Sequence, residues 1–256
     1  MAGPKASLTW WSFGDCGVGA DEFIRAVAAM GYDGIELADE ALWPAIAEAG
    51  LAIVSHRAHG TIESGLNQPE NHDRIEAEIL ANLDLALSWD IPLLICFSGS
   101  RAELTDEAGV ENTALGLSRV ARAAEDAGVT LVLELLNSKI DHPGYQCDHT
   151  TWGLKVIERV ASPRVRLLYD VYHMQVMEGD LIRTIQSHHD AFGHYHVAGN
   201  PGRHEPDRSQ EISYPAIYEA IAATGFQGYV GMEYLPRCPL AESLRAALGV
   251  LQAATG

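Results

Sequence analysis

The sequence has few basic residues. Its 256 residues include 17 Lys and Arg against 35 Asp and Glu, which gives a formal net charge of −18 at pH 7. A surface this acidic repels phosphate backbones and anionic lipid headgroups. We therefore expect neither a nucleic acid nor a membrane among the partners.

Several segments and motifs are lacking as well. No apolar run approaches the roughly 18 residues that suggest a membrane span, and the start, MAGPKASLTWW, does not resemble a signal peptide. The chain has no G-x-S-x-G, no Walker A motif and no G-x-G-x-x-G after the first predicted strand. The four cysteines form no C-x-x-C pair, which is typical of reduced cytosolic thiols: Cys16, Cys96, Cys147 and Cys238. The expected location is the cytoplasm.

The sequence does contain a regular alternation of strand and helix patterns. Short apolar runs predict strands at 7–11, 34–37, 51–55, 92–97, 129–134, 165–170, 192–197 and 228–233. Helical periodicity predicts helices at 20–30, 41–49, 70–89, 105–127, 150–161, 180–188, 214–224 and 239–253. Eight βα units in about 250 residues favour a (β/α)8 barrel. We expect an α/β fold, a single TIM barrel domain over residues 1–256.

Four of the later predicted strands end in a residue that can bind a divalent metal: Glu134, Asp170, His196 and Glu233. One such residue alone is more often a helix cap or a loop residue. In a barrel, however, successive strands point their C-terminal ends at one mouth, so all four would converge. Three carboxylates and one imidazole suit one Mn²⁺ or Mg²⁺ ion better than a thiolate-type zinc site, with Co²⁺ or Zn²⁺ as alternatives.

Other polar and aromatic residues near predicted strand ends are candidates for binding substrate. His56, His59 and Asn67 lie after the third strand, and we assign His59 and Asn67 to substrate binding, whereas a solvated loop residue is at least as good an interpretation of His56. Trp10 and Trp11 are expected to end the first strand, and we assign Trp10 to an apolar wall of the pocket. Adjacent aromatic residues of this kind also occur simply as barrel core.

Five stretches carry a resemblance to a known family: GLNQPENHDRIE (65–76), LICFSGSR (94–101), LELLNSKIDHPGYQCDHTTWG (133–153), YDVYHMQVMEGDLIRTI (169–185) and HVAGNPGRHEP (196–206). They resemble the hydroxypyruvate isomerase-like group of the xylose isomerase-like TIM barrels, which also include ketose 3-epimerases. The resemblance implies a metal site built by the four residues above, with Glu134 and Glu233 as the acid/base pair. It also implies that His173 and Arg203 bind substrate. Hydroxypyruvate isomerases themselves carry Gln at the position of His196, whereas ketose epimerases carry His, so the resemblance leaves the substrate open.

The expected activity is a divalent-metal-dependent isomerase or epimerase that moves a proton through an enediolate. Its substrate would be a small unphosphorylated sugar or hydroxy-keto acid. The alternatives are a metal-dependent keto-sugar lyase or hydratase on the same barrel, and a non-catalytic sugar-binding subunit. A phosphodiesterase resembling endonuclease IV is opposed by the net charge of −18. The group often forms homo-oligomers, an option that stays open for this chain along with the stereochemistry and the metal.

Overall fold

The computed structural model describes residues 3–14 and 17–256, so Cys16 lies outside the described residues. Eight parallel strands form a closed barrel in the order of the chain. The strands are β1 Lys5–Thr9, β2 Gly34–Glu36, β3 Ala52–Arg57, β4 Leu93–Cys96, β5 Thr130–Glu134, β6 Val165–Asp170, β7 Phe192–Val197 and β8 Tyr229–Met232.

The α-helices of the described residues lie between and after these strands. They are α1 Trp10–Phe13, α2 Ala20–Met30, α3 Trp43–Glu48, α4 His72–Trp89, α5 Asp106–Ala127, α6 Thr150–Val160, α7 Val171–Met177, α8 Leu181–His188, α9 Tyr214–Ala223 and α10 Leu240–Thr255. None of the helices described is both long enough and apolar enough to cross a membrane.

One compact unit comprises residues 1–54, 180–189 and 194–256. In it, β1 pairs with β2 and β8, and β7 pairs with β8, all in parallel. The register places Ser7 of β1 beside Gly34 on one side and Gly231 on the other. His196 of β7 is the other neighbour of Gly231. A single row of residues therefore crosses four strands of this unit, and two of them, Gly34 and Gly231, carry no side chain.

The other compact unit comprises residues 55–179 and 190–193. Here β4 pairs with β3 and β5, and β5 pairs with β6. β4 (LLIC) is apolar throughout and β5 (TLVLE) is apolar between its first and last residues, as is usual for parallel strands covered by helices. The longest helix, α5, begins where the Thr105 hydroxyl accepts a hydrogen bond from Ala108 N, and it ends at Gly128 in the left-handed conformation.

The barrel and the order of the eight strands are confirmed, and two local predictions are corrected. The first strand covers 5–9 instead of 7–11, because Trp10–Phe13 form a helical turn closed by Gly14 N donating to Trp10 O. A helix that the sequence analysis did not predict, α7, directly follows β6. Asp170 caps it, since its carboxylate accepts a hydrogen bond from His173 N. The assignment of residues 1–256 to a single domain stays a prediction.

Candidate metal centre and active site

Two of the predicted ligands end neighbouring strands of one unit. Glu134 is the last residue of β5 and Asp170 the last of β6, and both are buried, with 5% and 1% of their surface exposed. The Tyr145 hydroxyl donates to Glu134 O at 2.9 Å and accepts from Ser98 N at 3.0 Å. Asp170 Oδ1 lies 2.9 Å from His173 N. Hydrogen bonds between side chains and backbone atoms therefore hold the C-terminal ends of β5 and β6 in place.

His173 lies beside Asp170 with a defined proton position. Its Nδ1 accepts from Asn137 N at 3.1 Å and lies 2.6 Å from Asn137 Nδ2. A neutral imidazole has one N–H and one acceptor nitrogen, so an accepting Nδ1 places the proton on Nε2. That nitrogen is 3.8 Å from Asp170 Oδ2. His173 thus offers an N–H donor next to a predicted metal ligand.

His59 and Asn67 are buried in the same unit and are bonded to neighbouring loops. His59 Nε2 accepts from Phe97 N at 3.0 Å, and burial lowers the pKa of His59 to about 4, so the imidazole is neutral at pH 7. Asn67 Nδ2 donates to Gln146 Oε1 at 2.6 Å and to Ser100 O at 2.8 Å. They are not solvated loop residues, and their role in substrate binding stays a prediction.

Glu233 directly follows β8 and is surrounded by donors. Trp11 Nε1 donates to its Oε1 at 2.9 Å, and Arg203 Nη2 donates to its Oε2 at 2.6 Å. The Arg203 guanidinium also lies over the Trp11 ring, 5.1 Å from its centre. Burial raises the pKa of Glu233, but the charges of His196 and Arg203 and the hydrogen bonds from His196 and Trp11 outweigh it. The pKa is lowered, and Glu233 is ionised.

The two neighbouring tryptophans have different surroundings. Trp10, the predicted pocket residue, packs edge-on against Phe23 with ring centres 5.6 Å apart. Trp11, which the sequence analysis did not select, is the one that contacts both Glu233 and Arg203. The helical turn that replaces the expected strand end explains the difference, because it redirects both side chains.

His196 is fully buried between two carboxylates. Its Nδ1 lies 3.4 Å from Glu233 Oε2, and its Nε2 lies 3.2 Å from Glu36 Oε2. The same Glu36 oxygen is 2.8 Å from His194 Nε2. Burial raises the pKa of Glu36, but the charges and hydrogen bonds of His194 and His196 lower it well below its usual range. The sequence analysis missed Glu36, although GIE at 34–36 ends β2 much as GME ends at Glu233.

The structure brings all four predicted ligands together. Each of Glu134, Asp170, His196 and Glu233 offers a ligand atom, and these atoms lie within 4.8 Å of one another. All four side chains are at most 5% exposed. Three buried carboxylates are costly without compensating positive charge. The donor set therefore fits a hard or borderline divalent cation. A second group, Glu36, His194 and His196, also has ligand atoms within 4.8 Å of one another.

A family profile, described as the xylose isomerase-like TIM barrel, matches residues 24–254. The chain belongs to this family. The matched residues include seven of the eight strands, β2 to β8, and all four residues of the candidate metal group. The family match and the closed barrel therefore agree.

Individual members of the xylose isomerase-like family show how far the similarity extends. A 2-oxo-tetronate isomerase from Cupriavidus necator is 36% identical over 121 residues, which span 47% of this chain and 46% of that protein. A human protein described as a putative hydroxypyruvate isomerase is 28% identical over 237 residues, or 86% of each chain.

Solved structures share the fold over nearly the full length. An AP endonuclease, family 2, from Brucella melitensis has a TM-score of 0.83 at 27% identity, with 95% of this chain and 97% of that chain covered. A D-psicose 3-epimerase with D-tagatose from Clostridium cellulolyticum H10 has a TM-score of 0.79 at 21% identity, with coverage of 98% and 99%. The latter likeness supports the fold alone.

Proposed function

We propose that this chain is a divalent-metal-dependent isomerase or epimerase that acts on a small hydroxy-keto acid. The observation that carries the proposal is the buried group of Glu134, Asp170, His196 and Glu233, whose ligand atoms lie within 4.8 Å of one another. The relatives named above as 2-oxo-tetronate isomerase and putative hydroxypyruvate isomerase support this class of reaction.

The four residues would hold one cation, Mn²⁺ or Mg²⁺ by the hardness of their donors. A bound divalent cation polarises a carbonyl and stabilises negative charge that develops on its oxygen. The protein must then supply groups that remove and return a proton. Glu134 and Glu233 are the candidates, since both are carboxylates within the group.

Proton transfer between the two glutamates accounts for both reaction types. One carboxylate takes the proton from the carbon next to the carbonyl, which gives an enediolate. The other returns a proton to the neighbouring carbon in an isomerase, or to the opposite face of the same carbon in an epimerase. His173, with its proton on Nε2, would donate a hydrogen bond to a substrate oxygen near Asp170.

Arg203 gives the reason to prefer a substrate with a carboxylate. Its guanidinium is largely buried, with 13% of the side chain exposed, and Glu233 is its partner at 2.6 Å. A guanidinium matches a carboxylate well through paired N–H donors. If the substrate's carboxylate recruits Arg203, Glu233 loses a positive neighbour, and its pKa rises toward that of a useful base.

A ketose epimerase is the second candidate. It is favoured by an imidazole at position 196, which the resemblance associates with ketose epimerases, and an unphosphorylated sugar would then replace the hydroxy-keto acid. The net charge of −18 opposes a nucleic acid as substrate in either case.

Turnover in D₂O tests the proposal. The protein, freed of metal and reloaded with Mn²⁺, is incubated with hydroxypyruvate, four-carbon 2-oxo acids and a ketose panel, and products are followed by NMR. We expect isomerised product with deuterium at the exchanged carbon, and loss of both in Glu134→Gln and Glu233→Gln. Glu178→Gln is the control, because Glu178 bonds to Thr150 at the start of α6.

Three results would contradict the proposal. Near-parental turnover in either glutamine variant would remove that residue from the acid/base pair. Products that have lost water would indicate the lyase or hydratase instead. Metal binding without deuterium exchange on any substrate would favour a sugar-binding subunit.

A further inference from the structure

Glu36 reaches across a four-strand segment of the barrel interior. It lies on β2, yet its Oε2 is 2.8 Å from His194 Nε2 and 3.2 Å from His196 Nε2, both on β7. Its other oxygen, Oε1, accepts a hydrogen bond at 2.5 Å from the hydroxyl of Ser7, which lies on β1. All four side chains have no exposed surface. A carboxylate this deeply buried is costly unless it accepts several hydrogen bonds.

The fourth strand makes room for this contact. Gly231 of β8 is the register neighbour of both Ser7 and His196. A Cβ at Gly231 would lie 2.3 Å from Glu36 Oε1 and 2.8 Å from His196 Cδ2, closer than real contacts allow. The missing side chain at this position is therefore what lets Glu36 and His196 meet.

The two ring nitrogens of His196 face different partners. Nε2 faces Glu36, and Nδ1 faces Glu233 at 3.4 Å. Both neighbours are carboxylates, which accept hydrogen bonds and donate none. With a metal ion on Nδ1, the single proton of a neutral His196 would lie on Nε2, where Glu36 accepts it. Nδ1 is the ring nitrogen that faces Glu233, another member of the candidate metal group. A partner on the far nitrogen commonly fixes both the tautomer and the ring orientation of a metal-binding histidine.

We propose that Glu36 is a positioning residue, which holds His196 in the Nε2-protonated tautomer so that Nδ1 binds the metal. This rests on the metal site of the proposed function. His194 supports the arrangement, because it donates to the same Glu36 oxygen and its ring packs edge-on against His196, with centres 4.9 Å apart. Ser7 holds the other oxygen.

Metal affinity of the chelator-treated protein tests the inference without any assay of turnover. Mn²⁺ binding is measured by calorimetry for the parent, Glu36→Gln and Ser7→Ala. We expect Glu36→Gln to bind Mn²⁺ about tenfold to a hundredfold more weakly, the usual effect of losing such a partner. Ser7→Ala should weaken binding less, since it loosens the carboxylate without removing it. Glu205→Gln is the matched control, a buried glutamate that also accepts a serine hydroxyl, from Ser243.

A spectroscopic signature separates positioning from a merely structural role. ¹⁵N-labelled histidine spectra of the metal-free protein report which ring nitrogen carries the proton, and His196→Gln assigns the signal. We expect the Nε2-protonated form in the parent and in Glu205→Gln, and a mixture of tautomers in Glu36→Gln. If Glu36→Gln does not fold, Ser7→Ala is read in the same way, and a tautomer and affinity equal to the parent's would overturn the inference.

The outcomes also separate this inference from the proposed function. If Glu36→Gln folds and binds Mn²⁺ as tightly as the parent, Glu36 has no positioning role and the metal site stands. If the parent binds no Mn²⁺, or Asp170→Asn binds it equally well, the metal site itself is wrong, and the inference fails with it.

Discussion

Replacing Arg203 with Met removes the positive charge next to Glu233 while retaining most of the side-chain stem. The pair is largely buried, with 13% of Arg203 and 5% of Glu233 exposed, and its nitrogen–oxygen distance is 2.6 Å. Removing one partner of a buried pair costs about 3–5 kcal/mol. Trp11 and His196 remain next to Glu233, so we expect the lower end, about 3 kcal/mol. For a chain of this size the melting temperature should fall by roughly 6–12 °C.

Thermal unfolding in EDTA at pH 7 measures this loss without a cation to compensate for the missing charge. Arg237→Met is the matched control, because Arg237 pairs with buried Glu205 at 3.4 Å but keeps 48% of its side chain exposed. An ion pair made by such an exposed side chain is expected to contribute at most about 1 kcal/mol to the stability of the protein. Equal melting temperatures for the parent and Arg203→Met would refute the electrostatic account of Glu233.

The loss of stability in Arg203→Met should become smaller as the pH falls. The folded-state pKa of Glu233 is lowered, so its contribution to stability is present above the unfolded value of about 4.3 and is lost as pH falls through the folded pKa. Without Arg203, burial acts with less opposition and the folded pKa rises. The difference in melting temperature between the parent and Arg203→Met is therefore largest near pH 7 and decreases at acidic pH. A gap that widened in acid would contradict this sign.

Two further changes test the metal site and the space around Glu36. Mn²⁺ at about a hundred times its dissociation constant should stabilise the parent by about 2.7 kcal/mol and so raise its melting temperature. This increase should disappear in Asp170→Asn. An increase equal to the parent's would exclude Asp170 as a ligand. Gly231→Ala should destabilise the protein by about 1–3 kcal/mol through overpacking, because the new Cβ would lie 2.3 Å from Glu36 Oε1. A variant as stable as the parent in thermal unfolding would show that the Glu36 carboxylate can move aside.

The barrel could be predicted from the sequence because its signals are local and repeated. Eight apolar strand patterns alternate with helical periodicity, and the ligands Glu134 and Asp170 end their strands as expected. The convergence of the four ligands followed from the rule that all strands of a barrel point their C-terminal ends at one mouth. Neither step required knowledge of side-chain contacts.

The parts that could not be predicted depend on contacts between residues far apart in sequence. Glu36 and His194 are separated by 158 residues, and nothing in the local pattern of either strand reveals their hydrogen bond. The segments MGYDGIEL (30–37) and TGFQGYVGME (224–233) resemble each other, yet Glu36 of the first was not recognised as a site residue. The contact of Trp11 with Glu233 was not predicted either, because it depends on the helical turn that replaces the expected strand end. The assignment of Trp10 to the pocket wall stays a prediction.

A crystal of the protein soaked in Mn²⁺, with data collected at the manganese absorption edge, tests the central claim most directly. We predict one strong anomalous peak within bonding distance of ligand atoms from Glu134, Asp170, His196 and Glu233. A peak at the Glu36, His194 and His196 group instead, or no peak near either group, would contradict the account.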